Sequence, residues 1–266
     1  MAPDASPFDV LAAWLSGYSG YSAGQIGFVT VAALIAGLAR GFSGFGGALI
    51  FIPLAGSAVG PKAASALLLV VDGVMTLGML PDGFRRANRR EVLTMLCGAF
   101  FGVPAGTALL ALIAPVTLRW IISIVVLGLL AFLISGWRYH GKPKTYLTVG
   151  VGALAGLFGG AAQMSGPPIV AYWLGGAIAP LSVRANLVLY FALSTVLSAI
   201  SYLAGGILTV AVLKIAVIVG PAYGIGLYFG SRLFGVASDT TFRRLCFTLI
   251  GMAALLGLPL FDAVLP

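Results

Sequence analysis

The sequence predicts an all-α polytopic membrane protein made of two inverted repeats, each with about five hydrophobic segments. The chain of 266 residues is 60% hydrophobic and only 8% charged, whereas soluble domains carry roughly 25% charged residues. Mean hydropathy is +1.09, and the apolar runs are continuous, as in LRWIISIVVLGLLAFLI (118–134). A membrane β-barrel would instead show alternating segments of about ten residues, so helices are expected throughout.

The repeat is visible as two similar stretches, ALIAGLARGFSGFGGALIFIPLA in the first half and ALAGLFGGAAQMSGPPIVAYWL in the second. Aligned at an offset of 119 residues, they pair Gly37 with Gly156 and, beyond the stretches, Pro61 with Pro180. Further along the chain the offset grows to 124, which indicates a few inserted residues. Similarity that keeps its order over about a hundred residues predicts two structural repeats.

The repeat divides the chain into an N-terminal surface segment (1–20), a first repeat (21–137), a cytoplasmic linker (138–145) and a second repeat (146–266). The hydrophobic segments of the first repeat fall at 21–39, 45–59, 63–81, 92–113 and 117–137. Those of the second repeat fall at 146–159, 164–179, 184–204, 208–231 and 243–262. Short first and second segments predict a glycine-broken helical hairpin at the start of each repeat, and leave eight and ten spans both open.

Basic residues predict the orientation. Ten of the 15 Lys and Arg residues lie in three loops, 82–91, 138–144 and 232–244, which we place in the cytoplasm. The third segment of the first repeat then ends inside, whereas that of the second repeat ends outside, at the uncharged LAGGILT. This inversion is typical of secondary transporters, and it predicts a multi-pass protein of the bacterial inner (plasma) membrane with both termini outside. Oligomeric state is not predicted.

The two glycine-rich stretches, GFSGFGG (41–47) and GGAAQMSG (159–166), predict the substrate site. The helix that follows each turn begins with N–H groups that lack intrahelical partners, and its dipole is positive there, so an anion binds well. Glycine lets a ligand approach the backbone closely. Close helix packing is the alternative use of these glycines, and Arg40 alternatively extends to the membrane interface. The predicted substrate-binding residues are Arg40, Ser43, Gly44, Gly46, Gly47, Gln163, Ser165 and Gly166.

Four further polar residues are candidates for coupling or for the pathway. Asp72 lies inside an apolar segment, where acidic residues are usually functional; it either binds a coupling proton, pairs with Arg40 or Lys62, or meets water at a helix end. Lys62 and Arg184 begin corresponding helices, and Arg184 either attracts anions or anchors the helix. Asn186 needs partners if buried, and an interhelical clamp is its alternative role. Pathway and packing roles both stay open for Tyr172, Trp173, Tyr190, Tyr202 and Tyr223.

Other classes of protein fit the sequence poorly. GFSGFGG superficially resembles a phosphate-binding loop, but no Lys-Ser ending follows it. His140 is isolated, and the two cysteines lie in apolar runs without metal-ligand spacing, so we predict no enzyme, metal or cofactor. The net charge of +8 reflects topology and not nucleic-acid binding. An anion channel and a scaffold subunit remain alternatives, because glycine turns and polar rings occur in channels as well.

The quoted stretches, together with the helix starts PKAASALLL and VRANLVLY, resemble the TauE/SafE family of sulfite exporters, also called the toluene sulfonate uptake permease family. The resemblance extends from about residue 25 to 262. It implies gradient-driven export of sulfite, sulfoacetate or other organosulfonates, here with a proton as the coupling ion; a channel or a transporter of another small carboxylate or anion is the alternative. The second motif departs from the common pattern in having AAQMSGPP where more glycine is usual. The family's glycine motifs fall on Gly41, Gly44, Gly46, Gly47, Gly159, Gly160 and Gly166.

Overall fold

The computed structural model describes residues 16–77, 80–141, 143–175, 180–233 and 239–261, and no β-strand occurs within these ranges. Residues 16–19 form a short helical segment before the first long helix. A 3₁₀ turn, Pro259–Phe261, follows the last one. The helices are α1 (Ala23–Ser43), α2 (Gly47–Val59), α3 (Pro61–Thr76), α4 (Leu80–Arg86), α5 (Arg89–Leu112), α6 (Pro115–Ser135), α7 (Thr145–Ala162), α8 (Gly166–Gly175), α9 (Pro180–Ala204), α10 (Val210–Leu233) and α11 (Asp239–Leu256).

Six of these helices are long and apolar enough to cross a membrane: α1, α5, α6, α7, α10 and the Ser182–Ala204 part of α9. The prediction of an all-α, multi-pass membrane protein is therefore confirmed. The second helices of the two hairpins are shorter, with 13 residues in α2 and 10 in α8, whereas a span needs about 20. The number of full crossings and the absolute topology stay predictions.

Hairpin 1, which comprises α1, the turn 44–46 and α2, has a shorter turn than the sequence predicted. Gly41 and Ser43 lie in the last turn of α1, and the helix ends where Gly44 adopts the left-handed conformation, with φ of 82°. A residue with a Cβ is strained in that conformation, so glycine is favoured there. At the open end of the hairpin, the Gln25 side chain donates to the Ala58 carbonyl (2.7 Å), which ties the start of α1 to the end of α2.

Hairpin 2, which comprises α7, the turn 163–165 and α8, shows the same correction. Gly159 and Gly160 are helical, and α7 ends at Ala162, after which the non-glycine residue Gln163 adopts the left-handed conformation with φ of 56°. The two turns touch each other: a Cβ built on Gly166 would lie 2.7 Å from the Cβ of Phe45. The glycine stretches therefore form short turns in close contact. The first glycines of each stretch belong to the helix that precedes the turn.

Those first glycines pack helices together. A Cβ on Gly37 or Gly41 in α1 would lie 2.3 Å from a carbonyl oxygen of α10, and Gly226 and Gly230 in α10 face α1 in the same way. A second crossing joins α5 and α7 through glycines spaced four apart on both helices: Gly98, Gly102, Gly106, Gly152, Gly156 and Gly160. This is the small-xxx-small packing of membrane helices, which the sequence analysis left as an alternative for the hairpin glycines and did not assign on α5 or α10.

The two crossings relate the halves of the chain. In each half, the helix of the first predicted segment packs against the helix of the fourth predicted segment of the other half, α1 on α10 and α7 on α5. A two-fold relation between the repeats requires this exchange of partners. The repeat boundaries and the inverted orientation stay predictions.

We expect Gly102→Ala to destabilise the protein, because the new methyl group would lie 2.1 Å from the Ala153 carbonyl oxygen. Overpacking of this kind costs about 1–3 kcal/mol, which should lower the thermal midpoint of the detergent-purified protein by several degrees. Gly128→Ala is the matched control, since a Cβ there meets no described atom within 4 Å. Equal midpoints for the two variants would contradict the close α5–α7 contact.

Candidate functional site

A pocket lies where the two hairpin turns meet. It is lined by the end of α1, the two turns, the start of α2, the second half of α3, the start of α8, the middle of α9 and one residue of α10. Five residues singled out from the sequence line it: Arg40, Asp72, Gln163, Ser165 and Gly166. Four other predicted site residues shape the first turn and do not line the pocket: Ser43, Gly44, Gly46 and Gly47. The fold thus brings the two glycine stretches, which are offset by 119 residues along the chain, to one cavity.

The centre of the pocket is an ion pair. Arg40 donates from Nε to Asp72 Oδ1 (3.0 Å) and from Nη2 to Asp72 Oδ2 (3.2 Å), a two-bond contact of guanidinium with carboxylate. Tyr223 adds a third bond, its hydroxyl donating to Oδ1 at 2.7 Å. The side chains of Arg40 and Asp72 are 12% and 25% exposed. Of the three roles weighed for Asp72, pairing with Arg40 is present, and partial exposure adds contact with solvent.

Neighbouring groups hold Arg40 in place. Its Nη1 donates to the Gly44 carbonyl at the end of α1, and its guanidinium carbon lies 4.8 Å from the centre of the Phe191 ring, a cation–π contact. Gly47 leaves room for this arrangement, since a Cβ there would lie 3.0 Å from the Arg40 Cβ and 3.2 Å from the Tyr223 hydroxyl. Arg40 therefore faces the cavity and does not extend to an interface.

Ser43 and Gly46 build the first turn. The Ser43 hydroxyl donates to the Ala39 carbonyl (2.7 Å) and accepts from the Gly46 N–H (3.0 Å). Its single proton is thereby used within the turn, and so is the N–H of Gly46. In this conformation neither group offers a donor to a ligand, contrary to the role predicted for Ser43. The free donors at this end are the first N–H groups of α2, which begins at Gly47 and presents Ala48 to the pocket.

The second turn offers fewer backbone donors than the first turn does. Pro167 and Pro168 occupy the second and third positions of α8, and proline has no N–H. The first three residues of α8 therefore supply one N–H, that of Gly166, whereas the first three of α2 supply three. The turn itself is braced: Gln163 Nε2 donates to the Gly159 carbonyl (3.1 Å) and the Tyr202 hydroxyl (3.2 Å). The backbone charge for an anion thus comes mainly from hairpin 1.

Three predicted coupling residues lie elsewhere. Lys62 Nζ donates to the Ala111 carbonyl (2.7 Å) near the end of α5. Lys62 does not pair with Asp72, because the start of α3 is about 15 Å along the helix from that residue. Arg184 is exposed and is the fifth residue of α9. Asn186 is fully buried, and its Oδ1 accepts from the Asn88 N–H (2.7 Å), as the clamp alternative proposed. None of the three lines the pocket.

The pocket also contains residues that the sequence analysis missed or left undecided. Tyr223 was one of five aromatic residues with an open role. On α9, Phe191, Ser194, Thr195 and Ser198 line the cavity. Their spacing of i, i+3, i+4 and i+7 puts them on one helix face. The polar residues at this spacing in the otherwise apolar segment FALSTVLS could have identified this face of α9 from the sequence. The second half thus contributes six polar groups to the cavity that holds the Arg40–Asp72 pair of the first half, those of Gln163, Ser165, Ser194, Thr195, Ser198 and Tyr223.

Comparison with known proteins agrees with these features. A family model described as sulfite exporter TauE/SafE matches residues 29–257, a range that includes hairpin 2, hairpin 1 except for the first residues of α1, and every residue lining the pocket. A Cupriavidus necator protein named probable sulfite/organosulfonate exporter TauE is 28% identical over 232 residues, which cover 83% of this chain and 89% of that protein. No solved structure matches the chain. The chain therefore belongs to the sulfite exporter TauE/SafE family.

Proposed function

We propose that this protein is a secondary transporter that exports small sulfur oxyanions, such as sulfite or organosulfonates including sulfoacetate. The observation that carries the proposal is the Arg40 guanidinium held in a cavity between two hairpin turns, beside the first N–H groups of α2. The family and the name of the Cupriavidus relative support the substrate class. Small neutral solutes would not need a cation in this position.

The pocket has the chemistry for a tetrahedral or pyramidal oxyanion. A guanidinium offers several N–H groups in a plane and matches two oxygens of one anion, and the start of α2 adds N–H groups and the positive end of a helix dipole. Hydroxyls of Ser194, Thr195 and Ser198 face these donors from α9. Phe45 and Phe191 form apolar walls that suit the organic part of a sulfonate. We therefore place the sulfur oxyanion against hairpin 1 and its substituent toward α9.

Proton coupling is part of the proposal, with Asp72 as the proton-binding group. Asp72 is the acidic residue among the described lining residues. With Asp72 ionised, the charges of Arg40 and Asp72 cancel, so the cavity has no net charge with which to hold an anion. A proton on Asp72 would leave Arg40 to balance the substrate, so the anion and the proton would cross together and the outward concentration gradient of the anion would drive export.

The proposal is tested by sulfite flux into proteoliposomes of the purified protein, with and without an imposed pH gradient and with sulfoacetate and sulfate as competitors. We expect sulfite flux to saturate with sulfite concentration and to increase when the imposed proton gradient is directed into the liposomes. Sulfoacetate should inhibit this flux. Flux proportional to concentration without saturation would favour the channel alternative. Saturable flux of a carboxylate anion with none of sulfite, in a folded and inserted sample, would overturn the sulfur-anion substrate.

A further inference from the structure

We infer that the Asp72 carboxylate is a built-in competitor of the transported anion, so that binding of one anion is linked to uptake of one proton. The carboxylate occupies the edge of Arg40 that an oxyanion would use, and the hydroxyl of Tyr223 is bonded to it as well. The inference rests on the proposed function and deepens it, because it assigns the coupling to competition for a shared set of donors.

The hydrogen bonds define the competition. A guanidinium has five N–H groups; two of them reach the two oxygens of Asp72, and one reaches the Gly44 carbonyl. The bonds to Asp72 use the Nε–Nη2 edge, where a sulfonate or sulfite would place two oxygens. The ring of Phe191 lies against the guanidinium carbon at 4.8 Å. A substrate anion that takes this edge must therefore displace the carboxylate.

Electrostatics makes the displacement depend on a proton. Among the described lining residues, the groups that can carry charge are Arg40 from α1, Asp72 from α3 and Tyr223 from α10. The elements that face them, the second turn and α9, present amide, hydroxyl and aromatic groups there, and Lys62 on α3 is bonded at the other end of the helix. An anion added to the ionised pair gives a net negative charge in a partly buried cavity, which is costly. Protonation of Asp72 removes that charge.

Protonation also changes the donors. A neutral carboxyl group accepts more weakly from Arg40, which leaves the two-bond edge of the guanidinium to the anion. The hydroxyl of Tyr223, now bonded to Oδ1 at 2.7 Å, can then donate to the anion in the same cavity. Asp72 gains the proton as an O–H, and no other covalent bond changes. Proton uptake by Asp72 therefore makes Arg40 and Tyr223 available to the anion at the same time. By linkage, a bound anion favours the protonated form of Asp72.

The test measures anion affinity against pH with methanesulfonate, a probe that stays ionised over the range used, by calorimetric titration of the purified protein. We expect the dissociation constant of the wild type to rise about tenfold for each pH unit once Asp72 is ionised, the slope for one linked proton. In Asp72→Asn we expect less than a twofold change over the same range. Tyr223→Phe should keep the slope and bind several-fold more weakly at low pH.

Two controls make the result specific. Glu91→Gln removes an acid at the start of α5, outside the pocket, and should keep the wild-type slope. Proton uptake by the wild-type protein, measured in weak buffer on addition of methanesulfonate, should approach one per bound anion and needs no variant. A pH-independent wild-type affinity, or an unchanged slope in Asp72→Asn, would overturn this inference and leave the proposed function standing. Absence of binding of both methanesulfonate and sulfite at every pH would overturn the proposed function itself.

Discussion

Arg40→Gln is expected to lower sulfite flux into proteoliposomes at least about 30-fold. The substitution keeps a polar but shorter side chain and removes the positive charge that lies against the cavity. Loss of a charged partner in a partly buried site costs about 2–5 kcal/mol, and each 1.4 kcal/mol is tenfold in binding. Flux at saturating sulfite, the concentration for half-maximal flux and the amount of inserted protein should all be measured.

The control for this variant is Arg184→Gln, which removes an exposed arginine near the start of α9 and should leave flux within about twofold. A second comparison asks whether Arg40 serves only to neutralise Asp72. The double variant Arg40→Gln/Asp72→Asn removes both charges of the pair, so it should restore the stability of the fold and not the flux. Recovery of flux in the double variant would show that Arg40 is a structural counter-ion and would contradict its role in substrate binding.

Gly166→Leu is expected to abolish flux while leaving folded protein in the membrane. A Cβ at this position would lie 2.7 Å from the Cβ of Phe45 in the first turn, and a leucine must in addition place its branched end in the pocket that both residues line. The contact between the two turns would open and the cavity would fill. Flux should fall to that of protein-free liposomes, and gel filtration in detergent should still give a single symmetric peak.

Gly150→Leu is the matched control for that substitution. It lies on α7 in the same hairpin, and a Cβ there meets no described atom within 4 Å, so flux should stay near the wild-type value. Wild-type flux in Gly166→Leu would contradict a substrate site between the hairpin turns. A Gly166→Leu protein that aggregates would be replaced by Gly166→Ala, for which we expect a partial loss of flux.

The pocket is unequal in its two halves. At the offset of 119 residues, Arg40 corresponds to Gly159 and Asp72 to Phe191, so the ion pair has no counterpart in the second half. That half instead contributes the hydroxyls of α9 and the braced turn at Gln163. If the repeats are inverted as predicted, a common hairpin scaffold contains the Arg40–Asp72 ion pair on one side only, which suits a site that binds one anion and one proton.

Much of this protein was readable from the sequence alone. Hydropathy and length predicted an all-α membrane protein, because about 20 apolar residues are needed for one helical span. Glycine-rich breaks between short apolar segments predicted the two hairpins, because glycine ends helices in the left-handed conformation that Gly44 adopts. The expected pairing of the turns also placed Arg40, Gln163, Ser165 and Gly166 near one cavity. These features depend on local composition and on spacing along the chain.

Tertiary structure decided which groups meet in that cavity. Asp72 pairs with Arg40, 32 residues away, and with Tyr223, 151 residues away, whereas Lys62 on the same helix binds the end of α5. The hydroxyl of Ser43 is used within its own turn, and Asn186 clamps two helices. Such outcomes depend on how each helix is rotated and how deeply it is set against its neighbours. Those quantities arise from glycine contacts between distant segments, such as Gly37 against Tyr223, and the local pattern of any one helix does not contain them.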